Sequence, residues 1–295
     1  MSEAAAVTSR VLLVDKPVGW TSFDVVRRVR RGGRQKVGHA GTLDPFATGL
    51  LAVLVGQATR VSSLLMELPK EYICLVQFGA VSSTGDPTGE IESTQGRTRG
   101  LEVLAALDLF RGAIVQRVPM TSAVKVGGER LYHKAHRGET VDTPEREVFV
   151  HELELTAFDE ATQTGTLLTR TSKGTYVRRL AEDLGAHLGV GAYAAALRRT
   201  RIGHLSVDDA VTPDDAASYV DSSGDAWCLP LASALDFLPR YSVEAAEAAR
   251  AANGGALEGG PGGRFLVTSP AGVLGVWEGT QASSRPLVVF PNAEA

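Results

Sequence analysis

Apolar runs and alternating apolar and polar positions predict β-strands in several parts of the chain. In the first two thirds, the segments with these patterns are Arg10 to Asp15, Glu71 to Gly79, Arg146 to Phe158 and Thr164 to Thr171. The last two are expected to pair with each other. Near the C-terminus, after glycine-rich sequence, three shorter strands are predicted at Arg264 to Val267, Gly272 to Trp277 and Pro286 to Phe290.

Helical spacing of apolar residues indicates three helices. Thr21 or Ser22 can cap a first helix that runs to about Arg31 and ends at Gly32-Gly33. Leu101 to Phe110 predicts a second helix, and Thr175 to Leu188 predicts a third. The third helix has an apolar face made of Val177, Leu180, Ala181, Leu184 and Leu188.

The segments between these elements carry turn-forming residues. Val37 to Asp44 is glycine-rich and is expected to be irregular. Asp44-Pro45 is typical of a helix start, because aspartate caps helices and proline suits the first helical position. A turn of helix is therefore predicted from Phe46 to Leu51. Ser82 to Gly100 is polar and predicts a long exposed loop.

Hairpins outnumber βαβ units in this pattern, which favours an α+β fold around a largely antiparallel central sheet. Residues 1–240 are expected to form one large domain. Residues 241–295 are expected to form a small β-rich domain. No internal repeat is apparent in the sequence.

The composition is that of an ordinary globular protein, with 44% hydrophobic and 22% charged residues among 295. Cys74 and Cys228 lie far apart and form no CxxC pair, which disfavours a disulfide framework or a cysteine zinc site. Met1 to Arg10 lacks a basic and an apolar region, and no apolar run reaches the ~18 residues of a membrane helix. These features predict a cytoplasmic protein without a membrane partner.

Charge is unevenly distributed along this chain of net charge −4. An N-terminal basic cluster consists of Arg27, Arg28, Arg30, Arg31, Arg34 and Lys36. A second basic cluster consists of Arg198, Arg199 and Arg201. A local basic face can bind phosphates on an acidic protein, because salt screens distant charges. A solvated helix face explains these clusters equally well from charge alone.

The segment Gly38 to Leu51, with the sequence GHAGTLDPFATGLL, is the strongest candidate for chemistry. Closely spaced glycines allow the backbone to approach a ligand. Amide donors at a helix start would favour an ionised Asp44, and such a carboxylate can act as nucleophile or base. The alternative is that Asp44 only caps a helix beside Pro45.

This segment resembles the catalytic motif of bacterial tRNA pseudouridine-55 synthases of the TruB type. Five further segments between about Val11 and Ala210 match that family in the same order. They are Lys16 to Ser22 (KPVGWTS), Lys70 to Tyr72 (KEY), Pro119 to Tyr132 (PMTSAVKVGGERLY), Ser172 to Arg178 (SKGTYVR) and Leu197 to Arg201 (LRRTR). A set of motifs in a conserved order is far more specific than any one of them.

The resemblance implies a pseudouridine-synthase fold with a small PUA-like C-terminal domain for RNA contact. It implies that Asp44 is the nucleophile that isomerises a uridine flipped out of the tRNA T-arm. Since the reaction is an isomerisation, neither a redox cofactor, a nucleotide nor a metal is implied. The implied partner is tRNA rather than DNA, and the implied assembly is a monomer.

The resemblance also assigns roles to five other residues. Tyr72 and Tyr176 would contact the target base, which suits an aromatic ring because a flipped base stacks on π-faces. Arg178 would pair with Asp44 and keep it ionised. Leu197 would lie against the base, and His39 would contact RNA near the flipped nucleotide. Without the family match, Tyr72, Tyr176 and Leu197 would be read as core residues, and His39 and Arg178 as surface residues.

Thr121 departs from the tyrosine that the family usually has in its P-M-Y-S-A segment. One aromatic side chain is therefore lost from a segment expected to contact the RNA arm. This departure puts local RNA contacts in question rather than the chemistry.

Three other functions compete with this interpretation. Gly189 to Ala194 fits a loose G-x-G-x-x-A motif, but it follows a helix and so lacks a dinucleotide-binding context. His133 and His136 lie close together without the H-E-x-x-H pattern of a metal hydrolase. A non-catalytic tRNA-binding or folding chaperone on the same scaffold is the strongest alternative.

Overall fold

The computed structural model describes residues 9–30, 35–122, 124–139, 141–221 and 228–294. The predicted helix end at Gly32-Gly33 and most of the N-terminal segment Met1 to Arg10 lie outside these residues. Within them, no helix is long and apolar enough to cross a membrane.

Strands dominate the described part of the chain. The first nine are β1 (Arg10–Lys16), β2 (Val37–Ala40), β3 (Thr48–Val55), β4 (Lys70–Phe78), β5 (Ala80–Ser82), β6 (Ile91–Ser93), β7 (Gly112–Arg117), β8 (Lys125–Val126) and β9 (Glu129–Arg130). They are followed by β10 (Glu145–Asp159), β11 (Thr164–Thr171), β12 (Ala192–Ile202), β13 (Leu205–Ser206), β14 (Arg240–Ser242), β15 (Leu257–Glu258), β16 (Gly263–Ser269), β17 (Gly272–Gly279) and β18 (Ser283–Glu294).

The helices are short and lie between the strands. They are α1 (Ser22–Arg30), α2 (Ser62–Glu67), α3 (Gly100–Ala106), α4 (Leu131–His136), α5 (Val177–His187), α6 (Pro213–Asp221), α7 (Leu231–Ala234) and α8 (Ala245–Ala252). Three 3₁₀ turns occupy Gly56–Val61, Leu107–Phe110 and Val207–Asp209. The amphipathic helix predicted at Thr175 to Leu188 is confirmed as α5, and its apolar face packs into the core.

The central sheet has the strand order β1-β3-β12-β4-β11-β10-β7, with β2 also on β3 and β13 on β12. Within the described chain, only β12 and β3 run parallel in this sheet. The predicted α+β fold with a largely antiparallel sheet is confirmed, and so is the pairing of β10 with β11. Strand β12 was not predicted, although it lies at the centre of the sheet.

The C-terminal strands form a second sheet of order β14-β16-β17-β18-β15, so the expected β-rich C-terminal region is confirmed. Its side chains Leu266, Val276 and Phe290 belong to the same buried cluster as Leu50 and Leu54 of β3. The two sheets therefore share part of one hydrophobic core. A division into domains 1–240 and 241–295 stays a prediction.

Two local predictions were wrong. Asp44-Pro45 begins a turn, closed by the Ala47 N–H donating to the Asp44 carbonyl at 3.1 Å, and strand β3 follows at once. The apolar run there is a strand because it pairs with β1 on one side and with β12 on the other. Strand β2 likewise occupies part of the segment expected to be irregular.

The segment Ser82 to Gly100 is not a plain exposed loop. Strands β5 and β6 form a hairpin there, and the loop between them buries Asp86. Composition could not reveal this, because Asp86 is held by Arg178, which is distant in the chain, as well as by its neighbours in the loop.

Candidate active site

A cleft of about 670 Å³ opens on the central sheet near the turn that carries Asp44. Ligand pockets in proteins typically span roughly 300–1,000 Å³, so the cleft can take a nucleotide-sized group. Five of the six predicted site residues line it. They are Asp44, Tyr72, Tyr176, Arg178 and Leu197.

Asp44 and Arg178 form an ion pair on the cleft wall, with Arg178 Nε 3.0 Å from Asp44 Oδ2. The Arg178 side chain is 3% exposed and the Asp44 side chain 33% exposed, so the carboxylate is the more exposed member of the pair. Arg178 Nε has no hydrogen-bond partner among the described residues. The contact is therefore one of charge rather than a directed hydrogen bond.

Asp86 is a second carboxylate on Arg178, and no sequence pattern identified it as a site residue. Arg178 Nη1 donates to Asp86 Oδ2 at 2.7 Å, and the Asp86 side chain is 6% exposed. Asp86 also accepts from Thr84 Oγ1 and from the Thr88 N–H, both at 2.9 Å. A buried charge needs such partners, and this set holds Arg178 in one orientation.

Thr121 completes the surroundings of Arg178. Arg178 Nη1 donates to Thr121 Oγ1 at 2.9 Å, and Nη2 donates to the Thr121 carbonyl at 3.1 Å. The departure from the family's tyrosine therefore lies in contact with the arginine that pairs with Asp44. We therefore expect the threonine at this position to affect the Arg178–Asp44 ion pair as well as local RNA contacts.

Burial raises the pKa of the Asp44 carboxyl above its usual value. Arg178 opposes this shift, Asp86 adds to it, and Lys16 opposes it more weakly. In the described chain, no backbone N–H donates to the carboxylate, so the expected support from helix-start amides is wrong. The reason is that a turn, not a helix, begins at Asp44.

Lys16 joins the N-terminal motif to the Asp44 turn. Its side chain is fully buried, and its Nζ donates to the carbonyls of Trp20 at 2.6 Å, Pro17 at 3.0 Å and Pro45 at 3.4 Å. Burial lowers the pKa of Lys16 to about 8, although Asp44 opposes this shift. The motif match covers Lys16, but sequence reasoning assigned it no place in the site.

Arg199 is buried in the protein and does not lie on its surface. It is 1% exposed, and it donates to the Leu50 carbonyl at 2.7 Å and to the Gly41 carbonyl at 3.0 Å. A Cβ on Gly49, which has a φ of +100°, would lie 2.2 Å from the Arg199 carbonyl oxygen. Gly49 thus lets β3 approach β12 closely enough to fix the Asp44 turn.

The second basic cluster is consequently not a phosphate-binding face as a whole. Arg199 is buried, and Arg198 binds both carboxylate oxygens of Asp15 at 3.0 and 2.7 Å. Arg201 remains exposed. Two of the three arginines of this cluster, Arg198 and Arg199, are therefore bound to other parts of the protein.

The N-terminal basic cluster is partly neutralised. Arg27 pairs with Asp24 and Arg28 with Asp214 at 2.7 and 2.6 Å, and Arg30 donates to a backbone carbonyl at 3.3 Å. Both pairs are partly exposed, so phosphate can compete with them at low energetic cost. The members outside the described residues are Arg31 and Arg34.

Tyr72 and Tyr176 are half-buried and approach the cleft from different elements. Tyr72 lies in β4 opposite Arg199 of β12. Tyr176 immediately precedes α5, where Gln116 Oε1 accepts from its N–H at 3.0 Å. Leu197 is 7% exposed and belongs to the core behind the cleft.

His39 does not join the other five. It lies in β2 opposite Val53, is half-buried, and does not line the cleft. Burial lowers the pKa of His39, and Arg199 adds to the effect. Its Nδ1 has no hydrogen-bond partner among the described residues.

Metal binding has no candidate site in the parts of the chain that the structure describes. No group of three or more His, Cys, Asp or Glu side chains is arranged there to bind an ion.

Comparisons with known proteins converge on one family. The TruB family pseudouridylate synthase N-terminal domain matches residues 28–177, and the tRNA pseudouridylate synthase B C-terminal domain matches residues 178–236. The tRNA pseudouridine synthase B of Thermobifida fusca is 43% identical over 96% of this chain and 99% of its own length. That of Mycobacterium bovis BCG is 38% identical over 95% and 91%.

Solved structures agree on the fold. A chain from an H/ACA ribonucleoprotein bound to a substrate RNA containing 2′-deoxyuridine has a TM-score of 0.73 and 22% identity, covering 95% of this chain and 84% of its own. A chain of a Cbf5-Nop10-Gar1 complex has a TM-score of 0.71 and 23% identity, covering 95% and 83%. The family models and the curated relatives cover most of the sequence, and this chain therefore belongs to the TruB family of pseudouridylate synthases.

Proposed function

We propose that this protein isomerises uridine to pseudouridine in tRNA, at position 55 of the T-arm. Its curated relatives are named tRNA pseudouridine synthase B and match most of the chain. Residues from five of the six motifs that suggested this function line one cleft, which supports the proposal.

The observation that carries the proposal is the placement of Asp44. Its carboxylate faces the cleft, while the buried guanidinium of Arg178 lies 3.0 Å behind it. Burial raises the pKa of Asp44, and the positive charge of Arg178 opposes this shift by stabilising the ionised carboxylate. An ionised and oriented carboxylate is what nucleophilic attack requires.

The reaction keeps the atoms of the nucleoside. Asp44 attacks the sugar C1′ or the base, or it removes a proton from C2′ that is later returned. The bond from C1′ to N1 breaks, and uracil turns within the cleft. C5 then bonds to C1′ and any bond to Asp44 breaks, which regenerates the carboxylate. C5 loses its hydrogen as a proton, and N1 gains one. The isomerisation neither oxidises nor reduces the nucleoside, so the reaction needs no redox partner.

The other cleft residues hold the flipped base. Flipping costs on the order of a few kcal/mol, which contacts in the cleft must offset. Tyr72 and Tyr176 supply aromatic faces, and Leu197 supplies an apolar wall. His39, outside the cleft, would contact RNA near the target nucleotide. A cytoplasmic monomer is our expectation for location and assembly.

Tritium release from an unmodified tRNA transcript carrying 5-tritiated uridine tests the proposal. Wild type should release tritium, and Asp44→Asn should release none while binding the transcript as wild type does. Asp108→Asn is a matched control, because Asp108 is 78% exposed and pairs only with Arg111 in the described chain.

Two results would count against the proposal. Tight tRNA binding by wild type without tritium release would favour the alternative of a non-catalytic tRNA-binding or folding chaperone. Full release by Asp44→Asn would remove Asp44 from the chemistry. Moving the single target uridine within the transcript tests whether position 55 is the site.

A further inference from the structure

Five cationic side chains line the cleft, and they differ in how fully the protein satisfies them. They are Lys70, Arg146, Lys173, Arg178 and Arg199. Lys70 donates to the Leu68 carbonyl at 2.6 Å and to other carbonyls of the α2 end, and Arg178 and Arg199 are buried among the acceptors described above. These three charges are therefore not available to a ligand.

Arg146 differs from those three. It is exposed at the start of β10, and within the described residues no carboxylate lies within ion-pairing distance of it. Its guanidinium packs on the backbone of Gly174, where a Cβ would lie 2.8 Å from Arg146 Nη1. Gly174 has a φ of +83°, a backbone conformation that favours glycine at this turn.

The sheet register places Arg146 beside a base-contacting candidate. Arg146 is the cross-strand partner of Gln116 in β7, and such partners project from the same face of a sheet. Gln116 accepts from the Tyr176 N–H at 3.0 Å and donates to the Tyr176 carbonyl at 3.2 Å. Arg146 is thus held next to the segment that presents Tyr176 to the cleft.

Lys173 supplies a second cation in the cleft, three residues before Tyr176 in the chain. Its side chain is 62% exposed, and its Nζ lies 3.5 Å from Glu67 Oε1. An exposed pair at this distance contributes at most about 1 kcal/mol, so a phosphate can displace the carboxylate. Lys173 directly precedes Gly174, the residue that Arg146 approaches, and both cationic side chains line the cleft.

A buried hydroxyl in the same cleft gives independent support for a polar ligand. Ser122 is 5% exposed and lines the cleft, and its Oγ has no hydrogen-bond partner among the described residues. Buried hydroxyls in proteins are nearly always bonded. The cleft therefore offers one unsatisfied donor together with two cations at the Gly174 turn.

We propose that Arg146 and Lys173 bind a backbone phosphate of the RNA next to the nucleotide that enters the cleft. This inference rests on the proposed function for its ligand, a tRNA. The guanidinium can donate two parallel hydrogen bonds to phosphate oxygens, whereas the lysine acts as a point charge. Binding there would anchor the chain on one side of the flipped base.

The test measures the dissociation constant of an unmodified tRNA transcript at several salt concentrations. Each phosphate contact adds roughly 0.7 to 0.9 to the slope of log affinity against log salt. Arg146→Gln should reduce the slope by about that amount and weaken binding several-fold at low salt. Arg146→Lys should keep the slope, because it keeps the charge.

Arg117→Gln is the matched control. Arg117 is also an exposed arginine of this sheet region, but it pairs with Asp142 at 3.0 Å and does not line the cleft. It should leave the affinity and the salt slope unchanged. Tritium release by Arg117→Gln under single-turnover conditions at saturating tRNA should match that of wild type.

The outcomes separate this inference from the proposed function. If Arg146→Gln matches Arg117→Gln in salt slope, or lowers turnover without changing affinity, the phosphate site is wrong. If wild type binds tRNA with the expected Arg146 dependence but releases no tritium, the site stands and the proposed reaction fails. If wild type does not bind the transcript, both are overturned.

Discussion

At the scale of residues, the site depends on one buried guanidinium between two carboxylates. Arg178 contacts Asp44 at 3.0 Å and Asp86 at 2.7 Å, and it is almost fully buried. Removing one member of a buried charge group leaves its partners uncompensated. The charge of Arg178 and its position therefore both bear on the ionisation of Asp44.

Arg178→Gln should lower the single-turnover rate at neutral pH by tenfold or more. Loss of the cation raises the pKa of Asp44 beyond the increase caused by burial, and each further unit is tenfold in ionisation. Because the active form is the ionised carboxylate, the rate should fall as pH drops through the raised pKa. It should recover in part as pH rises. A pH series of single-turnover rates measures this.

The neighbouring Arg179→Gln serves as control. Arg179 is 37% exposed and pairs with Asp183 at 2.7 Å rather than with Asp44. Its pH profile should match that of wild type. A loss in Arg178→Gln that is the same at every pH would show that Arg178 acts through position and not through charge.

At the scale of elements, the cleft forms where segments distant in sequence meet. The turn before β3 supplies Asp44, the start of α5 supplies Arg178, and the hairpin loop between β5 and β6 supplies Asp86. The segment before β8 reaches the same point through Thr121. A movement of that segment would therefore alter the hydrogen bonds of Arg178.

Thr121→Val should reduce the single-turnover rate about tenfold, equivalent to ~1.4 kcal/mol, with little change in tRNA affinity. The substitution removes the hydroxyl that accepts from Arg178 Nη1 at 2.9 Å but keeps the β-branched shape. Thr121→Ser retains the hydroxyl and should stay close to wild type. Equal losses in rate and affinity would assign Thr121 to RNA binding instead.

At the scale of the whole molecule, the C-terminal sheet is packed into the core of the central sheet. Leu266 and Phe290 are fully buried in a cluster that also contains Leu50 and Leu54. Arg264 of β16 also pairs at 2.6 Å with Glu67, a residue of the cleft wall. The C-terminal sheet therefore packs against β3, the strand that follows the Asp44 turn.

Phe290→Ala should lower the free energy of unfolding by about 3–5 kcal/mol, because it leaves a cavity in the shared cluster. Denaturant unfolding followed by circular dichroism should show a single transition at lower denaturant. Leu287→Ala, on the same strand but 40% exposed, should change stability far less. Two separate transitions, of which only one moves, would contradict a shared core.

The sequence by itself determined seven of the eighteen strands in the described chain and the amphipathic helix α5, and five of the six residues predicted for the site line one cleft. These depend on local periodicity or on motifs that keep their order along the chain, as in Ser172 to Arg178. It failed for Phe46 to Leu51, because a buried central strand and a buried helix segment are both continuous apolar runs.

Only the tertiary structure decided which charges are free. Arg199 and Arg146 are both arginines in the sequence, but one is buried on the carbonyls of Leu50 and Gly41 while the other lies exposed against Gly174. Asp86 lies in a polar segment that looks like an exposed loop in the sequence, and only the fold shows its ion pair with Arg178. Burial and partner choice depend on contacts between distant segments, and local pattern does not encode those contacts.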